Sequence, residues 1–343
     1  MSKTLRIKKG VDIRLTGEPA LTCGDAPRPT VVAVQPTDFP GVTPKLAVKE
    51  GAQVQAGEAL FYDKTCTSVM FASPVSGTVK EVVRGAKRRI LAVVVEADGS
   101  DNAKDFGAWN GGDRDALVAH LAAGGAFATM RQRPFDVLAN PADTPRAIYV
   151  SGFDSAPLAV DTGVATEGRM DDLQRGIDAL GVLAGQGGVH VGTRAGDNTL
   201  AGLNGCTTTS FNGPHPAGNV GVQIHHTAPI NKGEVIWTMG LQDVINLGAF
   251  LRTGRYTAER VVALGGSEMN DPRHIRTVAG AKLSDLGVQA NAGARVISGS
   301  VLTGTSAGAE GYLGAFATQV VALPEGHDPK FLLTEGWLSP GLN

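Results

Sequence analysis

Cysteine is nearly absent from this chain: Cys23, Cys66 and Cys206 are the only three in 343 residues. No two of them form a C-x-x-C pair, so they offer neither a zinc site nor a thiolate-held iron–sulfur cluster. An odd, sparse set of thiols fits a reducing compartment rather than a disulfide framework. Long hydrophobic runs are missing too. The best, residues 311–323, falls short of the ~20 apolar residues that span a bilayer and reads as a buried strand pair. The basic opening, MSKTLRIKKGVDIRL, lacks the apolar core of a signal peptide. Aromatics make up only 5%, so Val, Ala, Leu and Ile must build the core. A net charge of −2 supplies no global basic field, which argues against a nucleic acid as partner.

Glycine is what the chain has in excess. Its 46 glycines exceed the usual share of roughly 7% and are spread without period, as turn and bulge residues of a β-rich protein. The length allows two or three domains, each with its own core. Residues 49–79, KEGAQVQAGEALFYDKTCTSVMFASPVSGTV, read as two short strand pairs punctuated by Gly51, Gly57, Pro74 and Gly77. This stretch resembles the barrel-sandwich hybrid of lipoyl and biotin carrier domains, with Asp63-Lys64 where those domains carry a modified lysine. The gap from Lys64 to SPVSG is longer than the lipoyl pattern, so a solvated lysine on a borrowed fold stands beside the carrier reading.

Residues 98–113 are polar and Gly-rich and read as a linker, followed by a helix at 114–123. A buried strand at 147–151 precedes an amphipathic helix at 169–184, where Leu173, Ile177 and Leu180 share a face. The next strand is 189–192, and strand–helix–strand order implies an α/β unit. The glycines of GQGGVHVG (185–192) end a helix instead of opening one, and His190 stands where a dinucleotide loop needs its third glycine. A further strand at 234–240 leads into a helix at 241–252, and another strand starts at 260.

Residues 198–231 contain no Asp, Glu, Lys or Arg. That run reads either as a surface seating an uncharged ring, with His225 as a hydrogen-bonding group, or as buried strands joined by Gly/Pro turns. Read as a strand, it would point His225 and His226 to opposite faces, a poor metal pair. Lys80, Arg84, Lys87, Arg88 and Arg89 form a basic set suited to anionic lipid, an acidic partner, or simple edge protection.

The blocks IKKGVDI (7–13), GEALFYDK (57–64), SPVSGTVKEV (73–82), RQRPFD (131–136), YVSGFDSAPLA (149–159), GPHPAG (213–218), VIWTMGLQDVINLG (235–248), RVVALGGSEMNDPRHIRTVAGAKLS (260–284) and RVISGSVLTG (295–304) run along nearly the whole chain. In that order they resemble the NqrA family, the A subunits of the bacterial Na+-translocating NADH:quinone reductase. The resemblance implies an α/β and β multidomain fold. Residues 1–100 would form the barrel-sandwich hybrid with N-terminal strands, and 101–254 a Rossmann-like domain related to the complex I flavin subunit. Residues 255–325 would be an SLBB-like β-grasp domain, and 326–343 the start of a further, truncated segment. It implies a peripheral protein on the cytoplasmic face of the inner membrane, meeting the membrane only through the other subunits (B–F) of a six-subunit reductase. The assembly reduces ubiquinone to ubiquinol with electrons from NADH and exports Na+. The chain itself is expected to have no catalytic residue, metal, flavin or iron–sulfur cluster, and not to be catalytic in isolation. Segments 33–42 and 127–136 match regions near quinone in the family, so Phe39, Phe127, Met130 and Phe135 become candidate ring contacts and Arg131 and Arg133 candidate donors. The alternatives are a lipoyl/biotin-type carrier and a flavin- or NADH-binding dehydrogenase component like Rnf C, which would need cluster motifs missing here.

Overall fold

The computed structural model describes residues 3–308 and 310–326; the expected C-terminal segment lies almost wholly outside them. Four sheets are arranged as three packed bodies. The chain begins with β1 (Lys3–Arg6) and β2 (Ala20–Asp25), which join sheets formed much later in the sequence. Then come β3 (Val31–Val34), β4 (Pro44–Leu46), β5 (Gln53–Val54), β6 (Ala59–Asp63), β7 (Met70–Ala72), β8 (Gly77–Arg84) and β9 (Ile90–Ala97). They form two small sheets, β3-β9-β8-β5 and β4-β6-β7. Alternation along the strands sends Val79, Val93 and Val95 inward. There they join Leu60 and the stacked rings of Phe61 and Phe71, 4.6 Å apart. Gly77 is required by close approach, since a Cβ there would fall 2.0 Å from the Glu96 carbonyl oxygen. Lys64 is exposed on the loop after β6. Arg84, Lys87, Arg88 and Arg89 project from the β8–β9 turn.

The middle body has the sheet order β1-β14-β13-β12-β15-β10-β11. Its strands are β10 (Arg131–Arg133), β11 (Val137–Leu138), β12 (Ile148–Ser151), β13 (Val189–Arg194), β14 (Thr207–Asn212) and β15 (Ile236–Gly240). The first five in that order are parallel, and β10 and β11 run antiparallel at the edge. Helices α1 (Arg114–Ala123), α2 (Thr162–Thr166), α3 (Met170–Leu183), α4 (Val220–Thr227) and α5 (Leu241–Thr253) accompany it. Both faces are covered, so consecutive residues Ile148, Tyr149 and Val150 are all buried. Ile148, Val150, Val191 and Trp237 share one core with Leu173, Ile177 and Leu180 of α3, whereas Tyr149 and Ile236 meet Ile224 of α4. The segment expected to be a linker is a packed strap. Phe106 and Trp109 donate their backbone N–H to Gly254 and Leu251, and the Phe106 ring lies 5.8 Å from Phe250.

The third body contains β16 (Glu259–Gly265), β17 (Arg273–Val278), β18 (Ala294–Ser298), β19 (Thr305–Ser306) and β20 (Gln319–Pro324), with β2 added beside β17. Val262, Leu264, Ile275, Val296 and Val320 fill its core.

Two strand expectations differ from the structure. The uncharged run 198–231 holds one strand, β14, and then helix α4 instead of a second strand. Its β-branched Val220, Val222 and Ile224 favour a strand locally, but burial of Gln223 and Ile224 on one side makes a short helix the better fit to the sheet face. His225 and His226 therefore sit on the last helical turn, with rings 5.1 Å apart and nearly perpendicular. Residues 311–323 supply only β20, because turns bonded from Gly311 to Gly308 and from Ala317 to Gly314 precede it. Among the described residues no helix is long and apolar enough to cross a membrane.

Candidate functional site

In the middle body the chain leaves β12 for α2 and α3 and returns as β13 on one side, then comes back through α4 to place β15 on the other. Connections diverging to opposite faces leave a crevice beyond the carboxyl ends of β12 and β15, the position where open α/β sheets bind ligands. A cleft of about 730 Å³ lies there. Ser151–Asp154 follow β12 into it, and Thr238–Gly240 end β15 beneath it. The first turns of α4 and α5 face it, and Arg131 and Arg133 of β10 form one wall. The third body closes the far side with Arg260, Thr303, Phe316 and Thr318.

The charges of that wall are unequal. Arg131 Nη1 lies 3.1 Å from Asp136 Oδ2 and Arg133 Nη2 lies 3.4 Å from Oδ1, so two guanidinium groups share one carboxylate. Asp136 has φ 53°, a left-handed conformation that Asp tolerates better than most residues, and it turns the carboxylate back toward β10. The Arg131 guanidinium also lies over the Phe316 ring, 4.2 Å from its centroid, a cation–π contact between two bodies. Burial and the Asp136 and Arg131 charges act on Arg133: burial pulls its pKa down, Asp136 opposes this, and Arg131 adds to it. Its Nε is sealed from solvent and has no hydrogen-bond partner among the described residues.

Arg260 is buried and donates to Asp243 of α5 at 2.5 Å and to the Ala315 carbonyl at 2.7 Å. Gln242 both donates to the Val261 carbonyl and accepts from the Val261 N–H. Together these bonds fix the cleft floor to the third body. Behind the floor a void of about 50 Å³ lies at the meeting point of all three bodies, next to Asp38, Phe39 and Tyr256. Burial raises the Asp38 pKa, against the Ala315 N–H bond and the Arg131 charge. Burial likewise pushes the Tyr256 hydroxyl up to about 12.

The residues singled out from sequence are only partly brought together. Arg131 and Arg133 line the cleft, and Phe135, between Arg133 and Asp136, is 82% exposed. Phe127 and Met130 are fully buried; the Phe127 ring meets Trp237 edge-on at 5.5 Å. Phe39 is wedged between Phe71 at 4.7 Å and Phe316 at 5.4 Å. His225 is exposed at the end of α4 away from the cleft. Sequence reasoning did not single out Asp136, Gly221, Arg260 or Phe316. Asp136 lies within the block RQRPFD and was within reach; the others had no local signal.

Three family models match the chain. They are an NqrA N-terminal barrel-sandwich hybrid domain at residues 5–98, an NqrA second alpha/beta domain at 112–256 and an NQRA C-terminal domain at 261–309. Curated relatives named as A subunits of Na(+)-translocating NADH-quinone reductase are similar throughout. That of Hahella chejuensis is 38% identical over 348 residues, covering 99% of this chain and 77% of the relative. That of Neisseria meningitidis serogroup C is 38% identical over 351 residues, covering 98% and 76%. That of Aliivibrio salmonicida is 37% identical over 347 residues, covering 99% and 77%. Among solved structures, an NAD+-reducing [NiFe]-hydrogenase in the H2-reduced state aligns with a TM-score of 0.45 at 12% identity, over 62% of this chain and 47% of that one.

Proposed function

This chain belongs to the NqrA family, the A subunits of Na(+)-translocating NADH-quinone reductase, and we propose that it fills that place, docked on the cytoplasmic face of the membrane assembly. Its middle body is read as a Rossmann-like domain and its third as an SLBB-like β-grasp domain, with the division between them near residue 255. It works with the other subunits (B–F), carries no flavin or iron–sulfur cluster of its own, and is not catalytic alone. Its part in the reaction is to contact ubiquinone as it is reduced.

The observation that supports quinone contact is the strip 131–136. It places an exposed aromatic ring, Phe135, in the chain between Arg133 and Asp136, and Arg131, Arg133 and Asp136 line the cleft. A quinone ring packs on Phe135, and Arg131 donates to a carbonyl oxygen whose negative charge grows on reduction. The burial of Phe127 and Met130 gives them a supporting role under β10 rather than a contact. Phe39 supports in the same way through Phe316 and Arg131. Native mass spectrometry with a short-chain ubiquinone is expected to show a saturable one-to-one adduct. Phe135→Ala and Arg131→Gln are each expected to weaken it at least tenfold and to lower turnover of the assembled complex. Unchanged affinity and turnover would move the quinone contact to a neighbouring protein of the complex.

A further inference from the structure

We propose that the tip of the β8–β9 hairpin rests on the surface of an anionic phospholipid bilayer, held there by Arg84, Lys87, Arg88 and Arg89. This takes the proposed place at a membrane as its premise. It adds a direct lipid contact to one expected only through the other subunits, and it makes no use of quinone.

The hairpin is an arm. Within its sheet, β3 pairs with β9 only over residues 93–96, and β5 with β8 only over residues 77–78. The β8–β9 ladder continues past both, with Val83 opposite Ala92 and Arg84 opposite Ile90. Residues 83–92 therefore form a two-stranded ribbon with no strand paired on either side. They carry four cations and no carboxylate, in a chain of net charge −2. All four cations are exposed, and none is ion-paired with a carboxylate among the described residues, whereas Lys80 at the base of the arm is paired with Glu96 at 3.3 Å. The base also holds Glu81 and Glu50, whose carboxylate accepts from the Val82 N–H at 2.8 Å.

The turn places these charges against local preference. Lys87 and Arg88 have φ 54° and 61°, and the Arg89 N–H closes on the Ala86 carbonyl at 3.2 Å. Two central residues of positive φ make the tight hairpin turn that Asn-Gly suits best, and a Cβ opposes that conformation. Lys-Arg at this point gives up turn stability for charge at the end of the ribbon. Arg84 joins them by donating to the Arg88 carbonyl at 3.2 Å. Protection of strand edges does not account for the pattern. It needs charge along the strands, and three of the four cations lie at residues 87–89 in the turn.

What the arm lacks selects among acidic partners. None of the exposed large apolar side chains among the described residues lies on it. Protein interfaces are anchored by side chains packed into desolvated pockets, and single-stranded nucleic acids by aromatic stacking; the tip offers an anchor to neither. A lipid surface asks for charge alone, because each Lys or Arg near it contributes on its own.

The test is sedimentation of the whole chain with vesicles of phosphatidylcholine alone and of equal parts phosphatidylcholine and phosphatidylglycerol. Binding is expected to the acidic vesicles only, and to weaken as salt is added. Arg84→Gln, Lys87→Gln, Arg88→Gln and Arg89→Gln are each expected to weaken it about fivefold, and the fourfold variant to abolish it. Lys87→Arg, which keeps the charge, is expected to leave it unchanged. Lys87→Asn with Arg88→Gly is expected to bind more weakly yet unfold at a higher temperature, which separates a lost contact from a damaged fold. Equal binding to both vesicle types, wild-type binding by the fourfold variant, or loss of binding in Lys87→Arg would each overturn the proposal. Absence of binding to the acidic vesicles would overturn it too, and failure of the fourfold variant to co-purify with the detergent-solubilised complex would then assign the arm to an acidic protein surface. Vesicle binding needs no quinone, so its failure leaves the ubiquinone reading standing, and loss of the ubiquinone adduct leaves this one standing.

Discussion

At the scale of single residues, the histidines report how burial controls charge. His120 lies between Trp109 and Phe250, with ring centroids at 5.4 and 4.9 Å, and its Nε2 is sealed with no hydrogen-bond partner among the described residues. Burial lowers its pKa. His190 is lowered as well, by burial first and then the Arg146 charge, against its bond to the Gly187 carbonyl. In the unfolded chain both titrate near ~6.5, so the unfolded state takes up protons that the folded state resists. Stability is therefore complete above that value and falls as pH drops through it. Thermal unfolding followed from pH 8 to pH 5.5 is expected to show a declining midpoint, and His120→Phe a shallower decline. A midpoint flat across that range would rule this out. Such effects were not legible in the sequence, where His120 is one polar residue in a helix; its neighbours Trp109 and Phe250 come from either side of it in the chain.

At the scale of elements, α3 and α5 show what glycine does in a tightly packed pair. A Cβ on Gly248 would fall 1.8 Å from the Asp172 carbonyl oxygen, and one on Gly176 would fall 2.2 Å from that of Val244. The helices touch backbone to backbone, and the contact is fastened by Asp172 accepting from Arg252 at 2.7 and 3.1 Å. Gly248→Ala is expected to cost about 3 kcal/mol or more, because backbone cannot yield as a side chain does. Gly181, exposed on α3 with nothing within 4 Å, makes the control. There Ala is expected to stabilise by up to about 1 kcal/mol. Urea unfolding of the two variants should move in opposite directions, and a shared direction would deny the close contact. The helices themselves were readable from their apolar spacing: 114–123 matches α1, while the expected 169–184 and 241–252 differ from α3 and α5 by a residue at the ends. Helix α4 was not, because eight residues rich in Val and Ile carry too little periodicity to outweigh a strand reading. The burial of Phe127 and Met130 escaped notice for a related reason. They stand three apart on a single 3-10 turn ending at β10, which turns both into the core.

At the scale of the whole molecule, the cleft belongs to no single stretch of sequence. Arg131 and Phe316 meet across 185 positions of chain, and β1 pairs with β14 across about 200. Local pattern carries no record of such pairings, so the family resemblance pointed to strip 131–136 but not to the wall opposite it. The junction is held by Asp38 accepting from the Ala315 N–H at 2.8 Å, by Ala33 donating to Gly280, and above all by Arg260 with Asp243. That pair is the strongest test of the arrangement, since both side chains are buried, at 3% and 7% exposure. Removing one partner strands a charge in the interior, whereas replacing both with apolar groups removes the desolvation cost along with the attraction. Arg260→Met is accordingly expected to lose about 3–5 kcal/mol by urea unfolding, and Arg260→Met with Asp243→Leu to recover most of it. The double variant also leaves the Ala315 carbonyl without its donor, so recovery is expected to stop about 1–3 kcal/mol short of the parent. A single variant within about 1 kcal/mol of the parent, well below the cost of stranding a buried charge, would show that apolar packing, and not this ion pair, clamps the third body over the cleft.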